Sequence, residues 1–305
     1  MFRGSIPALV TPFRGEALDE EALRAHVDWQ IEEGSHALVP VGTTGEAVTL
    51  TREEHLRVVQ ITVEQAAGRV PVIAGVGGNN TAAVIDMMKA VADRGARGAL
   101  TVVPFYNKPN QDGIYAHFAT LAESSPLPIV VYNVPSRTVA DISVETLARV
   151  ASLPSVVALK DATGNLARVS AQRLACKAGF AQLSGNDDMA LGFNAMGGVG
   201  CISVTANVAP RLCADFQNAC LSGEWTQALK LQDRLYPLHA ALFSDASPGP
   251  TKYALSRLRN FPLELRLPEW GAPAKVGVCG AYVPTLASAA RPPVPPEFAG
   301  GSRSG

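Results

Sequence analysis

The sequence predicts an α/β fold, a (β/α)8 TIM barrel with a small C-terminal helical appendix. Three observations predict it. Short runs rich in Val and Ile alternate with longer stretches of helical period, the pattern of a parallel sheet covered by helices. Eight such runs recur at about 28-residue spacing and are finished near residue 222, the number a closed barrel needs. A doubly wound open sheet would want G-x-G-x-x-G after its first strand; Ile6–Phe13 has none, and Gly75-Val76-Gly77-Gly78 lacks the third glycine at the right spacing.

In chain order the candidate strands are Ile6–Val10, Ala37–Val41, Val70–Ala74, Gly98–Val103, Ile129–Asn133, Val156–Lys160, Ala181–Ser184 and Gly200–Val204. Asp19-Glu20-Glu21 puts negative charge at the start of the first long helix, where the macrodipole favours it. Thr51-Arg52-Glu53-Glu54 is a capping box opening a helix over His55–Ala67. Thr81 and Ser143 read as further N-caps, and Gly34, Gly68 and Gly95 as C-terminal stops. After the eighth unit, Glu224–Ala241 and Pro250–Arg259 read as helices, with Trp225, Leu229, Gln232 and Tyr236 on one face. The chain thus divides into a barrel over residues 1–224, a helical region over 225–268 and an atypical tail over 269–305. From about Gly271 the tail keeps neither helical nor strand period. Pro292, Pro293, Pro295 and Pro296 lead into Gly-Gly-Ser-Arg-Ser-Gly, a composition that builds no core of its own.

Composition narrows the function. Of 305 residues 47% are hydrophobic and 17% charged, with 26 basic against 27 acidic side chains. A net charge of −1 leaves no electrostatic footprint for nucleic acid or an anionic membrane. No apolar run approaches the roughly 20 residues that span a bilayer, and Met1–Val10 is too short in its apolar part for a signal peptide. Cys176, Cys201, Cys213, Cys220 and Cys279 are odd in number and irregularly spaced, without C-x-x-C. Reduced thiols in a cytoplasm are therefore expected, not a disulfide framework or a zinc site.

In a barrel the reactive side chains stand at the C-terminal ends of the strands. Those ends carry Thr11, Gly42-Thr43-Thr44-Gly45-Glu46, Pro104-Phe105-Tyr106-Asn107, Tyr132-Asn133-Val134-Pro135-Ser136-Arg137, Lys160-Asp161, Gly185-Asn186-Asp187 and Ile202-Ser203. The histidines are scattered, which removes the ligands of a zinc or two-metal hydrolase; a Ser-His-Asp site lacks its G-x-S-x-G elbow. Lys160 ends the run Val156-Val157-Ala158-Leu159, and apolar walls disfavour its charged form, so it can attack a ketone and form a Schiff base. The alternative is a salt bridge to Asp161 at the barrel rim. Tyr132 and Tyr106 close neighbouring strands; with the Thr43 hydroxyl they can relay protons, or they can simply pack. Glycines around Thr43 and Thr44 let backbone amides and hydroxyls approach a small carboxylate, unless the segment is only a tight turn. Arg137 can grip a second carboxylate bidentately or stand as a surface arginine.

Taken together these segments resemble the dihydrodipicolinate synthase family, within the pyruvate-dependent class I aldolases and N-acetylneuraminate lyases. The resemblance runs from about Ile6 to Leu267 and rests on Gly42-Thr43-Thr44-Gly45-Glu46, Pro104-Phe105-Tyr106-Asn107-Lys108-Pro109, Tyr132-Asn133-Val134-Pro135-Ser136-Arg137-Thr138, Leu159-Lys160-Asp161 and Gly200-Cys201-Ile202-Ser203-Val204. It implies that Lys160 forms the imine with pyruvate and that Tyr132 is the general acid/base. Thr43 and Tyr106 would complete the proton relay, Tyr106 reaching across a subunit interface. Thr44 would hold the pyruvate carboxylate beside backbone positions Gly185 and Ile202, and Arg137 the carboxylate of aspartate semialdehyde. The implied enzyme is a homotetramer built from dimers that needs no organic cofactor or metal and feeds diaminopimelate and lysine synthesis. A 2-keto-3-deoxy sugar-acid aldolase or an N-acetylneuraminate lyase would use the same imine chemistry but usually places other residues at Arg137. A barrel that only binds a ligand would not need Lys160, Tyr132, Thr43 and Tyr106 together.

Two departures from the family pattern carry expectations. Lysine-inhibited members use a tyrosine, a glutamate and histidines near the dimer interface. Here Phe105, Ala83 and Arg52 stand at three of those positions while His55 and Asn79 remain, so lysine feedback is expected to be weak or absent. Members usually finish with a helix after the segment matching Arg266-Leu267-Pro268, whereas this tail reads as a frame-shifted or otherwise replaced C-terminus, or as a native linker.

Overall fold

A computed structural model describes residues 2–269; Cys279 and the Pro/Gly-rich tail beyond Glu269 lie outside them. The elements are β1 (Gly4–Pro7), a small hairpin of β2 (Phe13–Arg14) and β3 (Ala17–Leu18), α1 (Glu20–Glu32), α2 (Arg52–Ala66), β4 (Ile73–Gly75), α3 (Thr81–Ala92), β5 (Gly98–Val102) and α4 (Gln111–Ser124). They continue as β6 (Ile129–Asn133), α5 (Pro135–Thr138), α6 (Val144–Ala151), β7 (Val156–Asp161), α7 (Ala167–Ala175), β8 (Ala181–Ser184), α8 (Ala190–Ala195), β9 (Gly200–Ser203), α9 (Pro210–Leu221), α10 (Trp225–Leu242) and α11 (Gly249–Arg259).

Seven parallel strands follow one another in the order β1-β9-β8-β7-β6-β5-β4. The second predicted strand, Ala37–Val41, is not a regular strand. It is a bridging segment that closes the ring between β1 and β4 through the pairs Ala8–Val39 and Leu38–Val72, with Val39 N donating to Pro7 O at 2.9 Å and Ile73 N to Leu38 O at 2.8 Å. Regular pairing stops because Pro40 has no N–H to give and Val41 turns to φ +51. The curled sheet encloses Ile6, Val39, Ile73, Leu100, Val130, Tyr132, Ala158, Leu183 and Ile202. A second apolar layer, including Val27, Val59, Met88, Phe118, Val131 and Leu159, lies between sheet and helices.

The helix signals are largely realised. Thr51 Oγ accepts from Glu54 N at 3.2 Å while Glu54 Oε2 accepts from Thr51 N at 2.9 Å, completing the capping box. Asp19 caps α1 and Ser143 caps α6. Thr81 does not cap α3: Asn80 does, and Thr81 Oγ instead bonds His117 Nδ1 at 2.9 Å. Gly34, Gly68 and Gly95 all take positive φ just past helix ends. On α10 the face holding Trp225, Leu229 and Tyr236 is 42%, 49% and 55% exposed, with only Gln232 buried. The packed face is Ala228, Leu231, Leu235, Leu238 and Leu242, whose alternating three- and four-residue steps form the continuous apolar stripe. That stripe shares a core with Val10, Ala206 and Phe216, so the two last helices are bolted to the barrel's closing units.

Burial pushes the imidazoles of His26 and His117 down to about 4. Each binds fewer protons folded than unfolded between that value and the ordinary 6.5, so its cost is absent above pH 6.5 and grows as pH falls towards 4. At about 1.4 kcal/mol per pKa unit, the pair is expected to lower the melting temperature by several degrees between pH 7.5 and pH 5. Thermal unfolding followed across that range checks this, and a flat profile contradicts it.

Candidate active site

Strands β6 and β7 bring the two central side chains together. Parallel register sets Tyr132 against Lys160, and Lys160 Nζ lies 4.1 Å from the centroid of the Tyr132 ring. Both side chains are nearly buried, at 7% and 8% exposure for Lys160 and Tyr132. Asp161, the next residue on the strand, projects to the opposite face, accepting from Thr163 N and Gln172 Nε2 at 2.8 Å each. The salt bridge that would have given Lys160 a structural role is therefore not made. Among the described residues Lys160 has no carboxylate within ion-pair distance.

Gly185, at the end of β8, is where the backbone must come closest. A methyl group there would stand 3.2 Å from Lys160 Cε and 2.7 Å from Ala162 Cβ, so only glycine leaves room beside the amine. Gly185 N donates to Asp161 O at 2.6 Å, which fixes the turn against the lysine strand. Ile202 on β9 is buried in the same inner layer as Tyr132 and pairs with Ile6.

The threonine segment leaves the bridging strand as consecutive turns: Gly45 N donates to Gly42 O and Glu46 N to Thr43 O, both at 3.1 Å. Thr11 Oγ1 ties it down by donating to Gly45 O at 2.7 Å. Val41 and Glu46, at its two ends, take φ +51 and +53. The approach to β4 is so close that a methyl group on Gly75 would lie 2.2 Å from Val41 O. Thr44 is buried and Thr43 exposed, and neither gives its backbone N–H to another group among the described residues. Two adjacent free amides with their hydroxyls form a receptor for a small anion. Glu46 closes this motif with a buried carboxylate whose role the sequence alone does not reveal.

A cavity of about 570 Å³ has Thr43, Tyr132 and Arg137 on its wall, whereas Lys160, Thr44, Gly185 and Ile202 are not among the residues that line it. Arg137 is exposed and forms no ion pair among the described residues. The cavity continues into a chamber lined by Arg52, His55, Asn79, Ala83 and Phe105, and among the described residues no carboxylate lines any part of it. His55 donates through Nε2 to Gly75 O at 2.9 Å, and burial holds its imidazole below the usual range. Tyr106 is also absent from that lining and stands farthest from the group in environment: it is 90% exposed, at φ +68. Among the described residues no cluster of His, Cys, Asp or Glu is placed to hold a metal ion, and no helix is long and apolar enough to cross a membrane.

Residues 1–268 match the model of the dihydrodipicolinate synthetase family. The chain belongs to that family. It is accordingly an enzyme, a lyase with the synthase activity after which its relatives are named. It is 65% identical over 269 residues to a 4-hydroxy-tetrahydrodipicolinate synthase of Rhizorhabdus wittichii, covering 88% of this chain and 92% of that one. Among solved structures it is similar to the dihydrodipicolinate synthase of Acinetobacter baumannii complexed with pyruvate, at 39% identity and a TM-score of 0.88, covering 94% of this chain and 97% of that one. It is also similar to the Cyanidioschyzon merolae enzyme with lysine bound, at 36% identity and a TM-score of 0.89, covering 94% and 98%.

The room at Gly185 makes a direct test in this family member. Gly185→Ala is expected to reduce kcat/KM by roughly 100-fold, because the added methyl meets the lysine's terminal carbons where substrate must sit. Steady-state kinetics on the folded variant check this, and near-normal kinetics would show that the amine does its work elsewhere.

Proposed function

We propose that this enzyme condenses pyruvate with L-aspartate 4-semialdehyde through a Schiff base on Lys160, with Tyr132, Thr43 and Tyr106 moving the protons. The observation that carries the proposal is Lys160 itself: a nearly buried amine, with no carboxylate partner among the described residues, packed on the Tyr132 ring beside a glycine that leaves it space. An amine so placed is a nucleophile for a ketone carbon.

In the proposed sequence the Lys160 amine adds to C2 of pyruvate, whose carboxylate rests on the Thr44 amide and hydroxyl between Gly185 and Ile202. The carbinolamine loses water, its oxygen taking a proton delivered through Tyr132. A proton then leaves C3, and the resulting enamine carbon attacks the aldehyde carbon of the second substrate while the aldehyde oxygen is protonated. Arg137, exposed at the cavity wall with no ion-pair partner among the described residues, suits the second substrate's carboxylate; the polyol of a sugar-acid substrate would not call for it. The acceptor's amine finally attacks the imine carbon, closing the ring and returning Lys160. The lysine supplies the electron sink, so no organic cofactor enters the scheme.

The exposed Tyr106 supports the view that the relay is completed by a neighbouring subunit, in a homotetramer built from dimers. The cytoplasm is the proposed compartment, in keeping with four unpaired cysteines among the described residues.

Borohydride reduction in the presence of pyruvate is expected to add the pyruvate skeleton to Lys160, read by peptide mass, and Lys160→Ala should abolish the adduct. No adduct on the unsubstituted enzyme overturns the Schiff-base mechanism. A coupled assay run beside a panel of sugar-acid aldol substrates tests the acceptor. Because no carboxylate among the described residues lines the chamber beside His55, millimolar lysine is expected to leave most of the activity in place; abolition by lysine would contradict this.

A further inference from the structure

A buried ion pair joins the last helix to the threonine loop. Lys252, on α11, is fully buried, and its Nζ lies 2.5 Å from Oε1 of Glu46, itself buried. The same ammonium donates to Glu264 O at 2.7 Å and sits 4.4 Å from the centroid of the Phe13 ring. The second Glu46 oxygen accepts the backbone N–H of Arg266 at 3.0 Å. From the outer side the Arg266 guanidinium donates to Glu54 Oε1 and Oε2 at 2.6 and 2.7 Å and to Thr49 O at 3.2 Å. Residues 264–266 thus form a strap across residues 46–54, the stretch that directly follows Thr43 and Thr44.

Taking two charges out of water offsets much of their mutual attraction, so such a pair is a weak route to stability. Its placement is more informative. Glu46 holds a left-handed backbone, which is unfavourable for a non-glycine residue and persists only where the surroundings over-determine it. At the other end of the loop Val41 is also left-handed, and there the close approach of Gly75 confines it. Glu46 N donates to Thr43 O, so a change in the Glu46 backbone is passed directly to the threonine turn. The carboxylate of Glu46 is the handle by which α11 and the strap hold that end.

We propose that Lys252 is a positioning residue for the reaction: through Glu46 it fixes the Thr43–Thr44 turn in the shape that receives the 2-oxo acid carboxylate. This rests on the carboxylate-binding role given to Thr44 above. It assigns the C-terminal helix a part in substrate binding although none of its residues lines the cavity.

The test compares Lys252→Met with the unsubstituted enzyme. KM for pyruvate is expected to rise roughly ten-fold while kcat at saturating pyruvate changes by less than about three-fold. Hydrogen exchange at residues 42–49 should quicken by roughly ten-fold, with the amides of α10 unchanged. Glu46→Gln, which preserves shape and the acceptor for Arg266 N, carries the same test should Lys252→Met fail to fold. A folded variant with KM within about two-fold of normal, or with unchanged exchange at residues 42–49, overturns the proposal. Borohydride trapping on the unsubstituted enzyme is read separately: without an adduct the imine role of Lys160 is lost, while the exchange comparison still decides whether Lys252 fixes the loop.

Discussion

A one-residue irregularity between β6 and β7 decides which way Lys160 faces. Ile129 pairs with Val156, but Val130 pairs with Ala158, so Val157 is the extra residue of a bulge. Val156 lies in the outer apolar layer with Leu159, whereas Val157 and Ala158 both turn to the inner layer. Strict alternation from Val156 would send Lys160 outwards with it. The bulge reverses that parity. Lys160 enters the barrel opposite Tyr132, and Asp161 goes out to Thr163 and Gln172. Every other property of the site presupposes this choice: the amine above the ring, the space left by Gly185, and the missing counter-ion.

Around that pair the barrel supplies two kinds of constraint. Strand register places Tyr132, Lys160 and Ile202, and Gly185 follows directly on β8, tied to the lysine strand by its N–H to Asp161 O. The threonine turn is different, because it hangs from a bridging segment with left-handed residues at both ends. Its shape depends on close backbone approach at Gly75 and on charges brought from the far end of the chain. The site thus joins a rigid part set by strand pairing to a tethered turn, and the tethered turn carries the free amides suited to an anion.

Much of this was legible in the sequence, for physical reasons that can be named. Local signals were reliable where one residue type has one cheap solution: the Thr51 capping box, the glycines past helix ends, and lysine closing a run of valines. Periodicity placed the strands, but it could not foresee that Pro40 would strip the second one of regular pairing, or that Asn80 and not Thr81 would cap α3. Both faces of α10 hold large apolar residues, and only the path of α9 and α11 decides which is buried. Glu46, Lys252 and Arg266 were the least readable. Their partners lie more than 200 positions apart, and a charged residue in a helix gives no local sign that it is fully buried.

Tyr106 has a consequence of a genetic kind. An exposed tyrosine off its own cavity, if it serves a neighbour's, makes each working site the product of two polypeptide chains. Two alleles, one lacking the lysine amine and the other the tyrosine hydroxyl, would be inert alone. In a mixed pair, the chain that keeps its lysine could borrow its partner's tyrosine, and one intact site would be restored.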